Sequence, residues 1–174
     1  MRRRQLMGAA TALTASIAAP ALRAQALEVL RAYDRGPLFT PPSERGTVQL
    51  PGNVGGADWG GAGADPTTGM LFVPSLTSPI IDQLLKVDPA RGNLAFRRGG
   101  AGSLPTLDGL PLYKPPYSRV TAYDLNSGTI AWQVPLGDGP KDHPLLKDLN
   151  VGKLGAGSRG SPLVTKTLLF VSQN

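Results

Sequence analysis

Val120-Thr121-Ala122-Tyr123-Asp124-Leu125-Asn126-Ser127-Gly128-Thr129-Ile130-Ala131-Trp132 is the stretch on which the fold of this chain turns. Two alternating runs, 120–124 and 129–132, flank Leu125-Asn126-Ser127-Gly128. Gly128 can take the positive φ that a tight turn requires, and Asn126 or Asp124 can hydrogen-bond the turn's own backbone. The expected result is a β-hairpin that presents Trp132 on one face. Upstream, Asp65-Pro66-Thr67-Thr68-Gly69 leads into Met70-Leu71-Phe72-Val73 and repeats the scheme of acidic turn, glycine and hydrophobic strand.

Two such units suggest a structural repeat of propeller type, with two ordinary hairpins as the alternative. Working outward, strands are expected at Gly46–Leu50, Met70–Pro74, Arg119–Asp124, Thr129–Val134, Ser161–Thr165 and Thr167–Ser172. Leu27–Tyr33 and Ile81–Lys86 are the two places where a helical turn or two could form. Glycine and proline make up a quarter of residues 27–174, and they sit between short β-branched and aromatic runs. That arrangement joins many strands by turns, so the chain reads as all-β with long Gly/Pro-rich loops. Thr167–Ser172 is apolar enough to need a partner strand or a cover.

The N-terminus reads as a targeting segment. Arg2, Arg3 and Arg4 form a basic start, Met7 to Leu22 is uncharged, and Ala24-Gln25-Ala26 offers small residues where a signal peptidase reads. The expectation is an export signal over 1–26, with a mature domain over 27–174. An uncleaved N-terminal anchor is the alternative, although the uncharged stretch is shorter than the roughly 20 residues of a spanning helix. Arg3-Arg4-Gln5-Leu6-Met7 also resembles a twin-arginine motif. The whole chain has 18 Lys and Arg against 12 Asp and Glu. Without Arg2, Arg3, Arg4 and Arg23 the balance is 14 against 12. The basic pI is therefore mostly a targeting feature, and nucleic-acid binding has little support. The absence of cysteine excludes disulfides, thiolate nucleophiles and Cys-based metal sites.

Ala122-x-Asp124-x-x-x-Gly128-x-x-x-Trp132 resembles the tryptophan-docking repeat of dehydrogenases that use pyrroloquinoline quinone (PQQ). The order of further segments strengthens the likeness. Gly36–Ser43 is followed by Gly52–Gly61, which reads Gly-Asn-Val-Gly-Gly-Ala-Asp-Trp-Gly-Gly, then by Asp65-Pro66 and Gly69. Gly109–Tyr117, Asp142-His143-Pro144 and Arg159–Thr165 complete the series. From about Leu27 to the end, the chain is similar to the C-terminal third of the membrane-associated glucose dehydrogenase type of quinoprotein. The resemblance implies part of an eight-bladed β-propeller, about two to three blades, around PQQ and Ca²⁺. It implies periplasmic oxidation of a sugar or alcohol, associated with the inner membrane in the membrane-bound members. Electrons would pass to membrane quinone or a cytochrome. In the family the catalytic aspartate, a lysine on the quinone and most calcium ligands lie in blades preceding this stretch. No catalytic residue is therefore assigned here and the metal ligands stay open. The expectation is a fragment of such an enzyme. A non-catalytic exported β-repeat binding module and a non-functional remnant are the other two classes.

Asp58 and Trp59 are the residues with a claim to the cofactor. The family pattern at this point is Gly-Gly-x-Asn-Trp, whose Asn-Trp pair lies near the quinone. The glycines would let backbone approach a flat ring, while Asp58 replaces the amide donor by a carboxylate. Trp59 as a blade-core aromatic is the alternative. His143, the only histidine, reads as a loop residue, Trp132 as structural and Asp124 as a turn-former. Arg97, Arg98 and Lys141 read as solvated charges. No Ser-His-Asp set, phosphate-cradling loop or histidine metal cluster is legible.

Overall fold

A computed structural model describes residues 20–53, 55–57, 60–99 and 102–173. They divide into two compact units, the first from the described residues of 55–77 and 113–174, the second from those of 20–54 and 78–112. Helix α1 (Pro20–Arg31) comes first. The strands that follow are β1 (Thr47–Gln49), β2 (Gly63–Asp65), β3 (Met70–Leu76), β4 (Ile80–Asp82), β5 (Leu84–Lys86), β6 (Phe96–Arg98), β7 (Gly102–Ser103), β8 (Thr106–Leu107) and β9 (Leu110–Pro111). The last four are β10 (Ser118–Asp124), β11 (Thr129–Pro135), β12 (Pro162–Val164) and β13 (Leu169–Val171). The all-β expectation holds, as small antiparallel sheets with little helix.

The first unit is built on a four-stranded antiparallel sheet in the order β11-β10-β3-β2. Each strand neighbours the one before it within the unit, which is the up-and-down order of a propeller blade. β10 carries the core: Val120, Thr121 and Ala122 are all buried, so both of its faces are covered. Ala122 is 0% exposed and stands in register with Phe72 on one side and Trp132 on the other. Cross-strand partners share a face. The two rings therefore close over the alanine methyl, with centroids 5.7 Å apart and planes tilted by 38°. The hairpin was expected to present Trp132 on one face, and a bulge decides which. Tyr123 opposes Ile130 and Ala122 opposes Trp132, so Ala131 is the extra residue. Were the same residues paired without a bulge, Trp132 would oppose Thr121 and point to the other side of the sheet.

The two acidic turns are copies of each other. Asp65 accepts from the Thr67 N–H at 2.9 Å and from the Thr68 hydroxyl at 2.6 Å. Asp124 accepts from the Asn126 N–H at 2.9 Å. Gly69 and Gly128 both take positive φ, 72° and 69°, and return an N–H to the carbonyl of Asp65 and of Asp124. Of the two candidates named for the second turn, Asp124 closes it. Asn126 instead donates to the Thr68 carbonyl, and the Leu125 N–H donates to the Gly69 carbonyl, so the two turns lock together. These bonds favour the ionised carboxyls. The Thr68 hydroxyl, then the Thr67 N–H, hold Asp65 below the usual range, and the Asn126 N–H, then the Ser127 side chain, do so for Asp124. A second hairpin, β12–β13, is closed by Thr165 and Leu168 and lies along β2.

In the second unit, β1, β4 and β7 form one small sheet, while β5–β6 and β8–β9 are hairpins. The helical expectation for Ile81–Lys86 is corrected here, since these residues fall in β4 and β5. Ile80 and Ile81 pair with Gln49 and Val48, and Leu84 and Leu85 pair with Arg98 and Arg97. β-branched side chains with partners on hand favour the pleated state over an isolated helical turn. The expected helix at Leu27–Tyr33 is present, as the end of α1 and the turn after it. Arg98 is not merely a solvated charge, because its Nε meets the mostly buried carboxylate of Asp82 at 2.9 Å. Lys141, in the first unit, likewise pairs with Asp138 at 2.6 Å. Among the described residues no helix is long and apolar enough to cross a membrane.

Candidate cofactor-facing segment

Asp58 and Trp59 lie outside the described residues, but the glycines on either side of them are held firmly. Before the pair, the Gly56 carbonyl accepts from the Leu76 N–H at the end of β3, 2.7 Å away. After it, Gly60 runs against the chain entering β12. A Cβ on Gly60 would sit 2.7 Å from the Ser161 hydroxyl and 3.3 Å from the Gly160 carbonyl. Ser161 is in turn fixed by Ser172, whose hydroxyl accepts from the Ser161 N–H at 3.1 Å. Three residues further on, Gly63 touches β12 itself, where an added Cβ would meet Val164 Cγ2 at 2.6 Å. Gly56 thus lies against the end of β3 and Gly60 against the chain entering β12. A glycine in such a place marks close approach of backbone to a neighbour.

The same end of the sheet carries two groups that the sequence reading did not single out. Tyr117 is buried and makes an edge-on contact with Tyr113, ring centroids 5.3 Å apart at 83°. Burial pushes both phenols above their ordinary range, and Tyr113 adds to the effect on Tyr117. Both are neutral hydroxyls at pH 7. Backbone bonds fix Tyr117, from its N–H to the Leu154 carbonyl and from the Thr77 N–H to its own carbonyl. Next in the strand is Arg119, whose Nη2 donates to the Thr77 hydroxyl. The Arg119 Nε is buried and has no acceptor among the described residues. A single arginine inside an alternating strand carries no motif, so only the folded arrangement could draw attention to it.

The remaining sequence candidates fall into place as structure. Trp132 packs on Phe72 and Asp124 closes its turn. His143 accepts from the Leu145 N–H through Nδ1 at 3.2 Å, a bond inside its own loop. Among the described residues no three His, Cys, Asp or Glu side chains gather as a metal site.

Residues 4–174 match the family described as glucose/ethanol/alcohol dehydrogenase, beta-propeller domain, of PQQ type. The quinate/shikimate dehydrogenase (quinone) of Acinetobacter baylyi is 28% identical over 149 residues, which are 74% of this chain and 18% of that protein. The glycerol dehydrogenase large subunit of Gluconobacter oxydans is 30% identical over 165 residues, 77% of this chain and 22% of that protein. The quinoprotein glucose dehydrogenase of Escherichia coli is 30% identical over 124 residues, 60% of this chain and 16% of its own length. The chain therefore spans about a fifth of the length of the curated relatives it matches.

Proposed function

Because the chain belongs to the PQQ family of glucose/ethanol/alcohol dehydrogenase β-propeller domains, we propose that it works in oxidation of a sugar, polyol or other alcohol, with residues 55–61 facing the cofactor. The observation that supports this reading is the hydrogen bond on Gly56 and the close approach of Gly60 to its neighbours, on either side of Asp58 and Trp59. PQQ, when bound, supplies a quinone that takes a hydride from an alcohol carbon. The part of this chain is to hold the cofactor: glycine backbone lets a flat ring come close, and Trp59 offers it an aromatic face. Calcium finds no cage among the described side chains. Asp58 is the residue that could add an oxygen ligand to one completed from elsewhere.

The test is a PQQ titration of the full chain and of Asp58→Asn, with and without calcium, followed by tryptophan fluorescence and calorimetry. An ionised Asp only accepts hydrogen bonds and repels the carboxylates of PQQ. Without a calcium bridge, Asp58→Asn is expected to tighten PQQ binding about tenfold, roughly 1.4 kcal/mol. With a bridge, the variant weakens both PQQ and calcium. Identical binding by both proteins would remove residues 55–61 from the cofactor.

Export to the periplasm, with membrane quinone or a cytochrome as electron acceptor, is the setting that we propose for this activity. The Ala24-Gln25-Ala26 sequence and the basic start support it. Mass spectrometry of protein recovered from the periplasm should find Leu27 at the N-terminus, and recovery of intact Met1 there speaks against cleavage.

A further inference from the structure

The loop between α1 and β1, in the second unit, carries the most exposed large apolar side chain among the described residues. Phe39 is 92% exposed, and its neighbour Leu38 is 71% exposed. Both are held there by a closed turn. The Thr40 N–H and the Thr40 hydroxyl donate to the same Pro37 carbonyl, at 3.1 and 2.6 Å. Leu38 and Phe39 are the two central residues of this turn, and Phe39 takes φ 71°. Turns of this pattern give that position to glycine, because an L side chain there crowds its own backbone. Phe39 is thus strained in its backbone while its ring stands in water. Strain that the surrounding fold enforces is a mark of functional segments. The feet of the loop enforce it. Asp34 pairs with Thr47 of β1, the fully buried Thr47 donates its hydroxyl to the Pro41 carbonyl, and Ser43 pairs with Gln83.

The chemistry of the tip says what covers it. No residue from Gly36 to Ser43 is charged. Pro37, Pro41 and Pro42 have no N–H, and that of Thr40 is already bonded, so only Leu38 and Phe39 between them have amides left to satisfy. An interface with another protein is laced with hydrogen bonds, and this tip asks for few. The boundary layer of a bilayer offers apolar depth without directional partners, which is what such a tip suits. Arg35 stands directly before the uncharged run. Among the described residues no carboxylate lies within ion-pair distance of it, whereas Arg31 pairs with Glu28 and Arg45 with Asp34. A cation left over beside an apolar tip fits the phosphates of an anionic lipid surface. We propose that Leu38 and Phe39 insert into the surface of an anionic bilayer, with Arg35 among its headgroups. The site uses no cofactor and is independent of the reading given to residues 55–61.

The chain has no cysteine, so Phe39→Cys in the full chain can carry a single environment-sensitive fluorophore. It is mixed with vesicles of phosphatidylglycerol and phosphatidylcholine, or of phosphatidylcholine alone. With the anionic vesicles the emission is expected to move to the blue and to escape a water-soluble quencher. The quantity read is the ratio of inserted to aqueous label at residue 39, so attachment of the chain through residues 1–26 does not by itself register. Leu38→Ser should lower that ratio about tenfold, the scale of one apolar side chain withdrawn from lipid. Arg35→Gln should lower it about fivefold on anionic vesicles and leave it unchanged on neutral ones. Phe39→Trp, quenched by lipids brominated in their acyl chains, repeats the test without a label. A label that stays aqueous overturns the proposal. So does insertion that ignores both Leu38→Ser and Arg35→Gln, which would be general adsorption. A blue shift that appears without vesicles and grows with protein concentration would give the loop to a second copy of the chain, and overturns it as well.

Discussion

Replacing Ala122 with leucine is expected to destabilise the four-stranded sheet by about 3 kcal/mol, the upper part of the range for overpacking a closed core. The alanine is fully buried and in register with both Phe72 and Trp132. Neighbouring strands lie about 4.8 Å apart, so residues two strands apart start roughly 10 Å from each other. The Phe72 and Trp132 rings close nearly half of that gap to stand 5.7 Å apart, and the methyl of Ala122 fills the space beneath them. Three more carbon atoms have no room there unless one ring swings out into water. Urea unfolding followed by circular dichroism checks this, with a midpoint in heating lowered by about 10 °C as the companion signature. Ala122→Gly serves as the contrast, since it removes volume and should cost about 1 kcal/mol. If the leucine variant unfolds within 0.5 kcal/mol of the parent, the rings do not close over this residue.

Gly63→Val is expected to cost about 2 to 3 kcal/mol by a different route, separating the β12–β13 hairpin from β2 rather than opening the sheet. The hydrogen on Gly63 faces Val164 Cγ2, where a Cβ would stand at 2.6 Å, and the Pro162 ring closes the other side at 3.3 Å. Neither neighbour is a flexible chain end, so the backbone of β12 has to move. Amide exchange locates the damage. Leu163 and Phe170, paired across the hairpin, should exchange at least about tenfold faster, while Ala122 in β10 keeps its protection. Unchanged exchange at Leu163 would mean that β12 does not depend on this contact. The same displacement would shift Ser161, which lies against Gly60, so PQQ affinity should fall with it.

Much of the first unit was legible because its signals are local. In Asp65–Gly69 and in Asp124–Gly128, a carboxylate able to cap its own turn precedes a glycine that can take positive φ, and both turns form as read. The strands after those turns match the expected hydrophobic runs to within two residues. Ile81–Lys86 was misread because an apolar run of that length suits a helical turn or a strand equally. The choice was made by pairing with β6 in a hairpin and with β1, which is distant in sequence. Of the candidate site, the sequence marked Asp58 and Trp59 by resemblance, gave Tyr117 only as the end of the Gly109–Tyr117 segment, and held no sign of Arg119.

The amino-acid sequence by itself determined the turns, the strands they join and the family, since each depends on residues within about a dozen positions or on their order along the chain. Tertiary structure alone decided three things. It placed the extra residue at Ala131 and so turned Trp132 onto the face of Ala122, because a bulge is defined only by the strand opposite. It brought Gly60, just ahead of β2, and Gly63, the first residue of β2, against Ser161 and Val164 about a hundred residues later. It also withdrew the Nε of Arg119 from water and, among the described residues, gave its guanidinium the Thr77 hydroxyl as partner. Burial and the lack of an acceptor are properties of a neighbourhood, and a neighbourhood exists only once the strands have paired.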